Sequence, residues 1–256
     1  MQRYFVHLAY NGTAYHGWQI QPNAVTVQEV LNEKISLLTG EKVNLVGCGR
    51  TDTGVHARMF FAHFDLEKPL QIKPEEFVHK LNGFHLKDIA VYHLWPVPED
   101  YHSRFSAVSR TYKYYISRVR DPFGRDQSWE YTGTLDVAAM QKAAEYLFDF
   151  TDFTSFSKLH TQTATNSCTI SEARWEQNEN QLVFTITANR FLRNMVRAIV
   201  GTLVEIGQGK LSPEEMNRII LSKDRGEAGF SVPANGLFLE RITYPFALEG
   251  FLEMKA

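Results

Sequence analysis

Cysteine is almost missing from this chain: Cys48 and Cys168 are the only two among 256 residues. They allow one bridge at most and no C-x-x-C pair, which excludes a disulfide framework, a zinc ribbon and thioredoxin-type redox chemistry. Long apolar runs are missing too. The longest, Ala198 to Val204, is bounded by Arg197 and Glu205, far short of the ~20 residues a spanning helix needs. The stretch from Met1 to His7 lacks the apolar run of a signal peptide, so a cytoplasmic protein with no membrane contact is expected. Excess charge of either sign is absent as well. The 27 Lys and Arg against 29 Asp and Glu give −2, which argues against coating nucleic acid non-specifically but leaves room for a localised basic groove.

Familiar catalytic signatures are also lacking. The nine histidines (His7, His16, His56, His63, His79, His85, His93, His102 and His160) are scattered, with no H-E-x-x-H and no His-x-His. Most read as core-edge or surface residues, and no metal is expected. There is no G-x-S-x-G nucleophile elbow, no G-K-[ST] phosphate loop and no G-x-G-x-x-G opening a helix.

What is present is globular composition, with 44% hydrophobic residues, enough for one large core or two smaller ones. Tyr4 to Tyr10 predicts a strand stopped by Asn11-Gly12. Thr26-Val27-Gln28-Glu29 is a capping box, and Val27, Val30, Leu31, Ile35 and Leu38 follow on one helical face up to Gly40. Further strands are predicted at Val43 to Cys48, Met59 to Leu66, Ile89 to Trp95, Thr111 to Ser117, Leu182 to Ala188 and Phe238 to Tyr244. Helices are predicted over Pro74 to Leu81, Val137 to Phe148 and Phe191 to Ile206, the last with Arg193 and Arg197 four apart beside its apolar stripe. A final helix opens at a second capping box, Ser212-Pro213-Glu214-Glu215. Strands and helices mix without strict βαβ alternation, which predicts an α+β fold with a mainly antiparallel sheet. A boundary between halves is expected in Arg118 to Gly133, where charge, Pro122, Gly124 and Gly133 cluster.

Three segments carry candidate chemistry. Gly47-Cys48-Gly49-Arg50-Thr51-Asp52-Thr53-Gly54-Val55-His56-Ala57 puts Arg50, Asp52 and His56 on one glycine-rich loop, either a ligand site or a well-bonded hairpin in which Asp52 caps a turn. Arg104 to Tyr115 interleaves cations such as Arg110 with rings such as Tyr112, which suits single-stranded RNA and equally an antiparallel strand. Asn189 to Arg197 is either a surface helix end with solvated arginines or, since Arg197 lies among apolar neighbours, a buried arginine that needs an anionic partner such as Asp52.

Together these segments resemble the tRNA pseudouridine synthase A family. The resemblance runs through Tyr10-Asn11-Gly12-Thr13-Ala14-Tyr15-His16-Gly17-Trp18-Gln19, Thr26-Val27-Gln28, Gly49 to Ala57, Phe105-Ser106-Ala107, Arg110 to Tyr114, Phe191 to Gly201 and Pro233 to Leu239. It implies two ferredoxin-like halves, residues 1–117 and 118–256, sharing a long sheet with helices on one side and a central active-site cleft. By the same resemblance Asp52 is the catalytic aspartate, Arg197 the arginine that pairs with it, and Tyr112 the aromatic residue against the target base. Arg50, His56 and Arg110 are implied as substrate contacts and Leu237 as an aliphatic residue packing at the site. The implied activity isomerises uridines at positions 38 to 40 of the anticodon stem-loop, with tRNA as partner, a homodimer as assembly and no cofactor. Thr111, Arg58 and the arginine-free stretch Thr161 to Thr169 depart from the family's pattern.

The chemistry needs no redox partner, because reactant and product contain the same atoms. A carboxylate attacks C1′ or the base, or takes a ribose proton, only when ionised, and a neighbouring arginine favours that form. Tyr112 is expected to stack on the flipped base first and to move a proton second. A catalytically silent RNA-binding module, and a nucleoside or glycoside hydrolase pairing Asp52 with Asp65 or Glu29, are the other readings.

Overall fold

The computed structural model describes residues 1–158 and 165–248. His160 and residues 161–164 of the arginine-free stretch lie outside them. The chain forms two compact units: residues 1–108 together with the segment beginning at Arg241, and residues 109–240. The strand that opens the second unit runs unbroken through Ser117, where the sequence sets its division into halves.

The first unit runs β1 (Gln2–Tyr10), α1 (Val27–Thr39), β2 (Val46–Gly47), β3 (His56–Leu66), α2 (Pro74–Asn82) and β4 (Ile89–Val97). β1 lies between β4 and β3, antiparallel to both, with Phe5 opposite Trp95 and His63, and β2 continues the sheet on β3. A β-α-β-β-α-β order with sheet order fourth-first-third-second is the ferredoxin-like arrangement. Its core is aromatic, with Phe5, Phe60, Phe61, Phe64 and Phe77 all buried.

The helix start is the one its capping box predicts. The Thr26 hydroxyl accepts the Glu29 N–H, and Gly40 closes the helix in the left-handed region at φ 71°. Thr26 is fully buried, so Thr26→Ala is expected to cost about 1 kcal/mol in urea denaturation. Val43 to Leu45 alternate as a strand would, yet α1 takes their backbone groups. Ser36 Oγ accepts from Val43 N–H, Asn32 Oδ1 from Leu45 N–H, and Gln28 donates to the Leu45 carbonyl. The expected strand is therefore only two residues long.

Two buried histidines predict that this unit loses stability in acid. His7 faces His93 with their Nδ1 atoms 3.2 Å apart, and His63 Nδ1 lies 2.8 Å from Ser103 Oγ. Burial pushes both imidazoles down to about 4, helped by His93 for His7 and by Arg3 for His63. Their folded values lie below the ordinary 6.5, so the unfolded chain binds more protons between those limits and stability drops as pH falls through that window. The urea midpoint should decline from pH 6.5 to about 4. A flat midpoint there contradicts it.

The second unit runs β5 (Ser109–Ser117), β6 (Trp129–Glu130), α3 (Val137–Glu145), β7 (Ile170–Gln177), β8 (Gln181–Ala188), α4 (Met195–Gly207), α5 (Glu215–Ser222) and β9 (Leu237–Thr243), whose last three residues belong to the first unit. Its strand order β9-β5-β8-β7 repeats the first unit's pattern, with β8 antiparallel to both β5 and β7. The α+β, mainly antiparallel expectation holds in each unit. The Arg118 to Gly133 stretch folds back on β5: β6 pairs with it in parallel, and the Arg118 guanidinium donates to the carbonyls of Tyr131 and Gly133.

Elements of the second unit also differ from the sequence reading. The helix expected from Phe191 begins at Met195, because Asn194 takes a left-handed conformation at φ 66° and stops the helix extending backwards. Arg193 is thus outside α4 and exposed, not four along one helix from Arg197. β7 is missed by periodicity because it is an edge strand with a bulge near Ile170, whose outward face carries the Glu172, Arg174 and Glu176 ion pairs.

Candidate active site

In the first unit the polar loop spans Cys48 to Val55, between β2 and β3. Asp52 is half-buried and Arg50 exposed. The loop folds tightly because Val55 N–H donates back to the Asp52 carbonyl at 3.1 Å and Gly54 follows at φ 78°. Its base is fixed by Cys48, whose N–H donates to the Phe61 carbonyl and whose sulfur accepts the Phe61 N–H.

A second segment braces the loop from outside. Trp18 N–H donates to the Thr51 carbonyl and Gly54 N–H to the Tyr15 carbonyl, each at 3.3 Å. Tyr10 Oη and Thr51 Oγ1 are 2.8 Å apart. His56, only 1% exposed, accepts the Gly12 N–H on Nδ1 at 3.1 Å, which requires that nitrogen to be unprotonated. In the free protein His56 thus ties the Gly12 turn to the start of β3. The hydrolase reading would recruit Asp65, but Arg3 holds both of its carboxylate oxygens at 2.8 Å, and that hydrogen-bonded pairing keeps its carboxyl below the usual range despite burial.

In the second unit Arg110 and Tyr112 sit on β5, Arg197 on α4 and Leu237 at the start of β9. The Tyr112 ring meets Phe191 edge to face at 5.2 Å, which fixes its plane. Arg110 donates to the Asn189 carbonyl at 2.8 Å. Arg197 is half-buried, and its Nε donates to the Val232 carbonyl at 2.7 Å while Val232 N–H returns to the Arg197 carbonyl. One residue on, Tyr114 Oη donates to the Pro233 carbonyl. Burial raises the Tyr114 phenol far above its ordinary value, against the opposing pull of the Arg197 charge. α4 and β5 therefore clamp Val232-Pro233, and the short 3-10 turn Ala234–Gly236 delivers Leu237, 6% exposed, into β9.

The sequence places Arg50, Asp52 and His56 on one loop, Arg110 and Tyr112 on a second segment and Arg197 on a third, while Leu237 is implied by the family resemblance alone. Sequence reasoning assigned no role to Tyr10, Thr51, Gly17 or Trp18, although the Tyr10 to Gln19 motif was in view. It also missed Phe191 as the ring behind Tyr112. Among the described residues no cluster of His, Cys, Asp and Glu is arranged to hold a metal ion, and no helix is long and apolar enough to cross a membrane.

Comparison with known proteins gives concordant matches. The family model described as tRNA pseudouridine synthase matches residues 7–106 and 143–245. A tRNA pseudouridine synthase A of Parabacteroides distasonis is 51% identical over 245 residues, covering 96% of this chain and 97% of that one. Proteins of the same name from Bacteroides thetaiotaomicron, 51% identical over 96% of this chain and 91% of theirs, and Clostridium acetobutylicum, 43% over 93% and 97%, are similar along nearly their whole length.

Proposed function

Since the chain belongs to the tRNA pseudouridine synthase family, we propose that it isomerises uridines at positions 38 to 40 of the tRNA anticodon stem-loop to pseudouridine, with Asp52 as the catalytic carboxylate. The observation that carries this reading is the Gly49 to His56 loop, intact in sequence and braced around Asp52, in a chain similar over nearly its full length to proteins named tRNA pseudouridine synthase A.

The reaction breaks N1–C1′, turns the uracil, and joins C5 to C1′. The C5 proton leaves and N1 gains one, so atoms balance without an oxidant or reductant. Asp52 acts beside the ribose, as nucleophile or as base toward a ribose proton, and Arg197 is assigned to the same reaction. Extruding the uridine costs a few kcal/mol of stacking. Tyr112, its ring plane set by Phe191, returns part of that by stacking on the base, and Leu237 packs beside it. Arg50 and Arg110 contact the RNA. His56 supports the loop through the Gly12 turn and reaches substrate only if that turn opens.

A homodimer in the cytoplasm and a division into two ferredoxin-like halves belong to the same proposal. Light scattering at twice the chain mass tests the first. The positional claim is tested with tRNA transcripts that keep a single uridine at 38, 39 or 40. Pseudouridine should form in each and in none lacking all three. Modification confined to uridines elsewhere in the tRNA overturns it.

A further inference from the structure

We propose that the buried hydroxyl pair of Tyr10 and Thr51 is a positioning device for the Asp52 carboxylate. This rests on the reading of Asp52 as the catalytic group. Tyr10 ends β1 and is 4% exposed, and its ring is wedged edge-on against Phe60 at 5.4 Å and tilted against Trp18 at 6.2 Å, so its hydroxyl has one direction to point. It meets Thr51 Oγ1, itself buried, at 2.8 Å.

The same segment grips the loop twice more. The Thr51 carbonyl accepts Trp18 N–H, and Gly17 lies so close that a Cβ there would come within 2.3 Å of that carbonyl oxygen. Gly17 is also at φ 83°, a conformation that glycine adopts freely. Two residues beyond Asp52, Gly54 N–H donates to Tyr15. The chain on both sides of Asp52 is therefore pinned by Tyr10 to Trp18, and the Tyr10 contact reaches a loop side chain next to Asp52.

A buried hydroxyl pair adds little net stability over two apolar groups of the same shape, whereas losing one partner leaves the other unsatisfied. What the pair adds is a fixed distance and angle next to a reacting side chain, where misplacement by about 1 Å costs up to a hundredfold in rate. That asymmetry separates positioning from mere packing.

The test measures thermal melting, kcat and KM for tRNA in Tyr10→Phe, Thr51→Val, their double variant, Thr51→Ser and Asp52→Asn. Tyr10→Phe and Thr51→Val should each lower both the melting temperature and kcat. The double variant should regain the melting temperature of the wild type while its kcat stays about tenfold down and KM moves less than about threefold. Thr51→Ser, which keeps the hydroxyl, should bring kcat back to within about threefold of the wild type. Recovery of kcat together with melting temperature in the double variant assigns the pair to packing and overturns the proposal. So does a loss appearing only in KM. An active Asp52→Asn removes the premise itself, whereas an inactive Asp52→Asn beside a fully active Tyr10→Phe overturns the positioning role alone.

Discussion

Asp52→Asn is expected to lower the rate of pseudouridine formation by at least about a thousandfold, on the order of 4 kcal/mol of transition-state stabilisation, with tRNA affinity changed by no more than a few-fold. The amide has the shape of the carboxylate, and the loop around it is held through Cys48, Thr51, Gly54 and His56, so folding should survive. What is lost is the negative charge that each route to C1′ or the ribose proton requires. Single-turnover conversion and a parallel filter-binding titration separate the two effects. A variant that binds poorly and turns over normally when saturated would make Asp52 a binding residue, and a fully active one would remove it from the reaction.

Gly201→Ala is expected to have the largest effect on folding. Gly201 is buried in α4, and a Cβ there would sit 1.7 Å from the Phe230 carbonyl oxygen. Next to it, Gly229 N–H donates to the Thr202 hydroxyl, and a Cβ on Gly229 would come within 2.7 Å of the Thr202 nitrogen. The 229–230 backbone therefore lies directly on the helix, and backbone cannot swing aside as a side chain can. Overpacking of this kind costs about 3 kcal/mol, which for a chain of this size lowers the melting temperature by about 6 to 12 °C. The same segment leads into Ser231 to Leu237, gripped by Arg197 and Tyr114, so activity should fall even below the new melting point. Gly49→Ala is the contrast for folding, because a methyl there meets nothing within 4 Å; its melting temperature should stay within about 1 °C.

How far the sequence carried depended on the range of the interactions. α1 was legible to the residue, because Thr26, Glu29 and Gly40 act within a turn of their own position. The central strands were legible because burial on one face writes an alternation. The start of α4 was not, since one left-handed Asn194 overrules an apolar stripe that continues through Phe191 and Leu192. Nor was the short β2, where Ser36 and Asn32 of a neighbouring helix take the backbone bonds that a strand would have made.

The candidate site divides the same way. Gly49 to His56 stands out because glycines and three charged or titratable side chains crowd one loop, and Arg197 stands out as a cation among apolar neighbours. The brace does not, because Tyr10 and Thr51 are far apart in sequence and look like an ordinary strand residue and an ordinary loop residue until the fold joins them. His56 shows the limit from the other side: its residue type suggests a substrate contact, while its ring in the free protein is buried under the Gly12 turn.

The most direct measurement incubates the wild-type protein with an unmodified tRNA transcript carrying tritium at uridine C5 and follows tritium released to water alongside pseudouridine in the digested product. The account predicts one tritium released for each uridine converted, with no free uracil. Tight tRNA binding without tritium release would make the chain an RNA-binding module, and release of free uracil would make it a hydrolase; either result contradicts the isomerase at its centre.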